Sequence, residues 1–351
     1  MSDNSQKTVY VGVSGGVDSS VSLALLKKEG YNVVGCFIKT WQPDFIACTW
    51  REERRDAMRV CAVLDVPFIT IDAEKEYKDL VGEYFINEYK AGRTPNPDVM
   101  CNKEIKFGVF LRYALVHGAD FVATGHYART DGKQLLAGTD KSKDQSYFLW
   151  TLTPEQIKHV LFPVGHLEKK EVRFLAEKYD LPTAEKKDSQ GVCFLGPIDM
   201  KEFLAHYIPK KRGEVLNTES SVIGYHDGAL FFTLGERHGF TIIEKETNEK
   251  RLYVVDRDLD KNTITVSTNI NEPNNKKDFK KIKLQNISWT SGIAPESNKS
   301  HTARIRYQQQ LQKCTVESNY ILFNEPQNTA SSGQSIVIYD GEVCLGGGII
   351  A

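Results

Sequence analysis

Thr8-Val9-Tyr10-Val11-Gly12-Val13-Ser14-Gly15-Gly16-Val17-Asp18-Ser19-Ser20 is the stretch on which the fold turns. Thr8–Val13 is an apolar, β-branched run and reads as a buried strand. Ser19–Glu29 has helical spacing. The glycines between them let the backbone turn tightly and bring N–H groups close to an anion. The positive end of the following helix and the serine hydroxyls complete a cradle for a pyrophosphate group. The loop is neither G-x-x-x-x-G-K-S/T, which occurs nowhere in the chain, nor G-x-G-x-x-G. An ordinary strand–turn–helix with a serine N-cap is the bland alternative; the strand before and the helix after favour the cradle.

Outward from this loop, strand and helix signals alternate. Asn32–Ile38, Pro67–Ile71 and Phe121–Thr124 read as strands, and Arg51–Leu64, Glu74–Ala91 and Ile105–His117 as helices. Such alternation predicts an α/β unit, a parallel sheet with helices on both faces. Ligands bind at the carboxyl ends of such strands, so the segments after Val13, Ile38 and Thr124 are expected to line one site. Helical signals continue at Pro154–Val160, Lys169–Tyr179 and Asp199–Tyr207. Beyond Pro209 the texture changes to short apolar runs split by turn residues: Val222–Tyr225, Leu230–Thr233, Leu252–Asp256 and Thr263–Ser267. After an Asn/Lys-rich linker come Ala303–Tyr307, Cys314–Glu317, Ile321–Phe323 and Ile336–Tyr339. These predict a small β-rich domain and then a β-barrel. The expected divisions are residues 1–208, 209–272 and 273–351.

With 351 residues, 40% hydrophobic and 26% charged, the chain has the composition of a multidomain globular protein. It contains no apolar run long enough for a membrane span, and its N-terminus has neither a signal-peptide core nor an Arg-rich transit segment. A cytoplasmic location without membrane contact is expected. The seven cysteines form no C-x-x-C pair, so no zinc site, iron–sulfur cluster or other metal centre is predicted. Cys36, Cys61 and Cys344 lie in apolar or amphipathic runs and read as core. The net charge is −1, but residues 274–313 hold nine Lys/Arg against two acids, +7, leaving −8 elsewhere. A local basic patch of this kind can dock a phosphate backbone; a solvated lysine-rich loop would look the same.

Two further clusters carry chemistry. In Gly92-Arg93-Thr94-Pro95-Asn96-Pro97-Asp98-Val99-Met100-Cys101-Asn102 the prolines are expected to hold Cys101 on a rigid loop, outside helix and strand. Asp98, three residues before it, is a nearby proton acceptor for a nucleophilic thiol. In Asp188-Ser189-Gln190-Gly191-Val192-Cys193-Phe194-Leu195, Cys193 follows a polar segment with a glycine. Taken singly, either cysteine could be incidental, and their spacing does not show that they meet.

The combined pattern resembles the bacterial tRNA-specific 2-thiouridylases. The resemblance spans nearly the whole chain. It rests on SGGVDSS from Ser14, AGRTPNPDVMCNKEIKFG from Ala91, ATGHYAR from Ala123, DKSKDQSYFLW from Asp140, LFPVGHLEK from Leu161, KKDSQGVCFLG from Lys186, IRYQQ from Ile305 and GQSIVIYDGEVCLGGGII from Gly333. SGGVDS is also the signature of the PP-loop ATP pyrophosphatases, so the resemblance implies an adenine nucleotide alpha hydrolase-like first domain. It implies ATP contacts at Gly12, Val13, Ser14, Gly15, Gly16, Val17, Asp18, Ser19, Ile38 and Gly125. Asn96, Pro97 and Asp98 would hold the target base. Cys101 matches the nucleophile, Cys193 the persulfide carrier, and Asp98 a general acid or base. His126, Lys143, Asp144, Gln145, Arg306, Tyr307 and Gln334 match tRNA-contacting positions. Strand alternation over Thr302–Gln308 independently predicts a polar face of Arg304, Arg306 and Gln308.

The implied reaction is ATP-dependent replacement of the C2 oxygen of the wobble uridine in tRNA for Lys, Glu and Gln by sulfur. Mg²⁺ is expected with the ATP, and a cysteine desulfurase or sulfur-relay protein as donor. One stretch departs from the family. Where it carries a TLGQRKGLGIGG-like run, this chain has Thr233-Leu234-Gly235-Glu236-Arg237-His238-Gly239-Phe240-Thr241-Ile242-Ile243, and no tRNA contact is carried over to it. A small-molecule PP-loop ligase would explain the nucleotide loop but not the two cysteines and the basic β domain. A non-catalytic RNA-binding module with a vestigial nucleotide loop is a third reading, which absence of tRNA-dependent pyrophosphate release would support.

Overall fold

The computed structural model describes residues 4–46, 49–187, 200–243, 251–269, 279–327 and 330–351. Its first seven strands are β1 (Thr8–Gly12), β2 (Asn32–Lys39), β3 (Phe68–Asp72), β4 (Phe121–Ala123), β5 (Ala128–Thr130), β6 (Leu135–Ala137) and β7 (Val160–Leu161). Five of them form a parallel sheet in the order β3-β2-β1-β4-β7. The helix Val17–Lys28 lies against this sheet and is buried on several sides. Its serines fit that setting because Ser20 and Ser22 return their hydroxyls to the carbonyls of Gly16 and Asp18, at 2.8 and 2.9 Å.

The next five strands, β8 (Gly213–Leu216), β9 (Val222–His226), β10 (Phe240–Ile242), β11 (Tyr253–Asp258) and β12 (Thr263–Ser267), form a second sheet. The expected strand at Leu230–Thr233 is instead a short 3₁₀ turn, Ala229–Phe231, introduced by Gly228. The last six are β13 (Lys281–Trp289), β14 (His301–Arg304), β15 (Gln312–Glu317), β16 (Tyr320–Phe323), β17 (Ser335–Asp340) and β18 (Val343–Ile350). They run β13-β16-β15-β14-β17-β18, and a β13–β18 pairing closes them into an antiparallel barrel. Closure leaves no exposed edge in the ring.

The barrel does not stand apart from the first domain. The β5–β6 hairpin leaves the parallel sheet and joins β18, with Leu136 opposite Val343 and Leu135 opposite Cys344. Just after it, the buried Tyr147 hydroxyl lies 3.0 Å from the Ser335 carbonyl, and the Trp150 indole donates to Ser335 Oγ at 3.2 Å. Large aromatic groups with a polar tip suit such a seam: they bury apolar area and bond across it. Among the described residues no helix is long and apolar enough to cross a membrane.

Candidate active site

The nucleotide loop sits at the carboxyl end of β1, as expected for a parallel sheet. Gly15 has φ +76°, and a Cβ there would lie 2.5 Å from the Glu53 carbonyl oxygen, so only glycine fits without strain. Ser19 Oγ accepts from the Ser14 N–H at 3.2 Å and donates to the Gly16 carbonyl at 3.0 Å. The first helical residue is Val17, so Gly16 rather than a serine occupies the N-cap. Gly125, just beyond β4, packs on the same helix end. A Cβ on it would stand 2.6 Å from the Ser19 nitrogen. Val13, buried, is tied to β2 by its N–H to the Cys36 carbonyl, and Ile38 is half-buried near the end of β2. Gly12, Val13, Ser14, Gly15, Gly16, Val17, Asp18, Ser19, Ile38 and Gly125 thus gather at one edge of the sheet. Paired hydroxyls, a close-approach glycine and a helix N-terminus make a chemical fit for phosphate. Asp18 is already engaged: it accepts from Tyr127 Oη at 2.8 Å and from Lys169 Nζ at 2.7 Å.

His126 follows Gly125 and is buried. Its Nδ1 is 2.7 Å from Thr124 Oγ1 and its Nε2 is 3.4 Å from Lys106 Nζ. An ammonium only donates, so Nε2 accepts and Nδ1 carries the proton. Burial, and secondarily the Lys106 charge, holds the imidazole well below its usual titration range, so it stays neutral.

Cys101 corrects the sequence reading. It lies not on a loop but in a continuous helix running from Pro97 through Val116, whose middle, Cys101–Phe110, is π-helical. Pro97 starts this helix rather than breaking it, because the first helical residue needs no N–H. Asn96 caps it, its Oδ1 accepting from the N–H groups of Asp98 and Val99 at 3.2 and 3.3 Å. The three-residue spacing then puts half-buried Asp98 and buried Cys101 on one helix face. Cys36, Cys61, Cys314 and Cys344 are buried. Burial pushes the Cys61 thiol up to about 11 and those of Cys314 and Cys344 up to about 12, which makes them inert at neutral pH. Cys193 lies outside the described residues.

Both β domains grip the chain just before this helix. The Thr94 N–H donates to the Ser332 carbonyl at 2.8 Å, and Gln334 Nε2 donates to the Thr94 carbonyl at 3.2 Å. From the middle domain, Arg257 donates to the carbonyls of Gly92 at 2.6 Å and Phe232 at 2.7 Å. Thr233 and Thr94 hydroxyls are 3.4 Å apart. Sequence reading assigned nothing to Arg257 or Thr94, since neither sits in a pattern that announces a partner more than a hundred residues away.

The Thr302–Gln308 face is also revised. Strand β14 ends at Arg304, so alternation does not extend to Arg306 or Gln308. Arg304 points inward and pairs with buried Asp144, while donating to Tyr339 Oη at 2.9 Å. Asp144 also accepts from the N–H groups of Gly138 and Ser146, at 2.9 and 3.1 Å. Arg306 donates to the Leu234 carbonyl at 2.8 Å. Tyr307 packs on Phe148, ring centroids 4.6 Å apart, and Gln308 donates to the Ser142 carbonyl at 3.0 Å. Gln145 accepts from the Tyr127 N–H at 3.0 Å, and Lys143 is half-buried beside Tyr307. Of the basic patch, Lys280, Lys281 and Lys283 are exposed, and Arg304 is not. In the divergent middle-domain stretch, Glu236 accepts from the Thr233 N–H at 3.0 Å and pairs with Lys201 at 2.6 Å, so its charge is locally balanced.

Sheet, loop and two appended β units place the molecule among HUP-domain proteins. Family models match three consecutive stretches: a tRNA methyl transferase HUP domain over residues 7–197, a tRNA methyl transferase PRC-barrel domain over 201–268, and an aminomethyltransferase beta-barrel domain over 279–350. A tRNA-specific 2-thiouridylase MnmA of Streptococcus thermophilus is 45% identical over 362 residues, covering 100% of this chain and 96% of the relative. Its counterpart from Pseudomonas fluorescens is 47% identical over 361 residues, covering 99% and 96%. The chain belongs to the tRNA-specific 2-thiouridylase family.

Proposed function

We propose that this chain is an ATP-dependent sulfurtransferase that replaces the C2 oxygen of the wobble uridine in tRNA for Lys, Glu and Gln by sulfur. The observation that carries the reading is the joint between the Cys101 helix and both β domains: the segment bearing Asp98 and Cys101 is bonded by the barrel at Thr94 and by the middle domain at Gly92. A small-molecule ligase has no need of such a joint. Full-length kinship to thiouridylases supports it. The proposed units are residues 1–208 for catalysis, 209–272 as a central β domain and 273–351 as an RNA-contacting barrel.

In the first step the uridine O2 attacks the α phosphorus of ATP held on the Gly12–Ser19 loop, Ile38 and Gly125. The α–β bridging P–O bond breaks, pyrophosphate leaves, and O2 now carries AMP as a good leaving group. Mg²⁺ accompanying the triphosphate would offset its charge. Sulfur then arrives as a persulfide on Cys193, supplied by a cysteine desulfurase or relay protein. In one route the terminal sulfur attacks C2, AMP departs with the old oxygen, and the Cys101 thiolate attacks Cys193 Sγ, breaking the S–S bond. In the other, Cys101 attacks first and the released hydrosulfide attacks C2. Both leave a Cys101–Cys193 disulfide, which a dithiol reductant reopens. Asp98, on the face of Cys101, takes up or returns the proton.

Asn96, Pro97 and Asp98 would receive the base once it leaves the anticodon stack. His126, Lys143, Gln145, Arg306, Tyr307 and Gln334 would contact the RNA. Asp144 would act through Arg304, as its burial leaves it no exposed face. The family-model descriptions speak of methyl transfer, whereas the full-length relatives are named for thiolation. A tRNA 2-thiolation assay with ATP and a cysteine desulfurase plus L-cysteine as persulfide source separates the two. Product from wild type, and none from Cys101→Ser or Cys193→Ser with ATP and tRNA still bound, is the expected result. Undiminished product from both variants would remove the cysteines from the mechanism.

A further inference from the structure

The Ser14–Ser20 loop contains no cation; its one charged side chain is the Asp18 carboxylate. Backbone N–H groups and hydroxyls alone leave the charge of a departing pyrophosphate largely uncompensated. Two lysines from far along the chain bring positive charge to this loop. Lys169 opens the helix Lys169–Lys178 and donates to both carboxylate oxygens of Asp18, at 2.7 and 2.9 Å. Lys186 pairs with Asp56 at 2.7 Å. Asp56 stands against the loop: a Cβ on Gly15 would lie 3.2 Å from the Asp56 Cβ. The backbone at Lys186 is itself clamped, since the Arg173 guanidinium donates to the carbonyls of Ala184 at 2.8 Å and Lys186 at 2.5 Å.

We propose that Lys169 and Lys186 are phosphate-contacting residues of the ATP step. With ATP on the loop, each ammonium turns from its carboxylate toward the β and γ phosphates and stabilises pyrophosphate as the α–β bond breaks. This rests on the reading of the loop as an ATP site. Both pairs are reachable by a ligand: side-chain exposures are 15% and 30% for Lys169 and Asp18, and 36% and 28% for Lys186 and Asp56. A phosphate oxygen replaces a carboxylate oxygen as the anionic acceptor, so each ammonium stays charge-paired through the exchange. The carboxylates keep the two ammonium groups ordered and aimed at the loop. In this design the cations come from distant helices and turns rather than from the loop itself.

The test uses the full chain with Lys169→Met, Lys186→Met and the corresponding Arg variants. Binding of inorganic pyrophosphate and of AMP is measured by calorimetry, and tRNA-dependent pyrophosphate release from ATP by steady-state kinetics. Each Met variant is expected to bind pyrophosphate ~10-fold more weakly or worse, the loss of one charge-assisted bond. Its kcat for pyrophosphate release should fall about 100-fold, the scale of one lost transition-state donor. AMP, which lacks the β and γ phosphates, should bind within about 2-fold of wild type, and Arg should restore most pyrophosphate affinity. Parallel loss of AMP and pyrophosphate affinity would overturn the proposal, because the lysines would then only hold Asp18 and Asp56 in place. So would unchanged turnover in both Met variants. A wild-type protein that released no pyrophosphate would instead sink the ATP reading itself, and the proposal with it. Should Lys169→Met be too unstable to assay, Lys186→Met, in the more exposed pair, carries the same test.

Discussion

The nucleotide loop and the Cys101 segment reach their conformations by opposite routes. The loop's own bonds are local: Ser14 to Ser19 spans five residues and Ser19 to Gly16 three. The Gly92–Thr94 stretch is held by bonds spanning 139 residues to Thr233, 165 to Arg257 and 240 to Gln334. The loop is therefore shaped by its own glycines and serines. The cysteine segment is shaped by two other domains, one of which, the barrel, is expected to meet RNA. Nucleotide binding should be insensitive to the barrel, whereas sulfur transfer should depend on it.

The largest expected effect lies on the cysteine side. Cys101→Ser should lower 2-thiolation by about 1,000-fold or more, as for loss of any obligate nucleophile, while ATP affinity stays within about 2-fold. Thiolation assays and ATP titration on one preparation check this; a joint loss would break the comparison. On the loop side, Gly125→Ala forces a Cβ to 2.6 Å from the Ser19 nitrogen. Overpacking of this kind costs roughly 1–3 kcal/mol, and ATP affinity should fall by about 10-fold or more. ATP titration that finds no change would show that the helix end yields.

Arg304→Met should cost about 3 kcal/mol in denaturant unfolding, because Asp144 would stay buried without its cation. Adding Asp144→Asn should recover part of that loss, since the two sites are coupled. His126 sharpens the comparison through pH. Its folded-state titration lies below the usual imidazole value, so the unfolded chain takes up a proton that the folded chain does not. Stability should fall as pH drops below about 6.5, by about 1.4 kcal/mol per pH unit. His126→Gln should remove one proton's worth of that slope in urea melts between pH 6.5 and 5. The smallest effect belongs to Gln334→Ala, which removes one bond to the Thr94 carbonyl, about 1 kcal/mol. Thiolation should fall a few-fold with ATP affinity unchanged; equal losses in both would mean that the barrel reaches the loop after all.

The reading of particular residues follows the same division. Thr8–Gly12, Asn32–Lys39 and Thr263–Ser267 were legible as strands because their pattern of apolar and β-branched residues is local. The Pro97 helix was not, because a proline that starts a helix and one that prevents it look alike until the Asn96 cap is seen. Arg304, Arg306 and Gln308 read as one polar face on alternation; the strand ends at Arg304 and the buried Asp144 turns that arginine inward.

The sequence by itself determined the parallel-sheet domain, its phosphate loop, the change to β structure after Pro209 and the cysteines worth suspecting. Glycine conformations, hydrophobic periods and short motifs act over a few residues, and a chain displays such information directly. Only the tertiary structure decided that a β5–β6 hairpin enters the barrel sheet, that Arg257 and Gln334 grip the stretch before Cys101, and that Lys169 and Lys186 stand beside the loop. Each of these joins residues far apart along the chain. The bonds form because packing strands and helices brings buried donors and acceptors together, and no local pattern records which distant group will satisfy them.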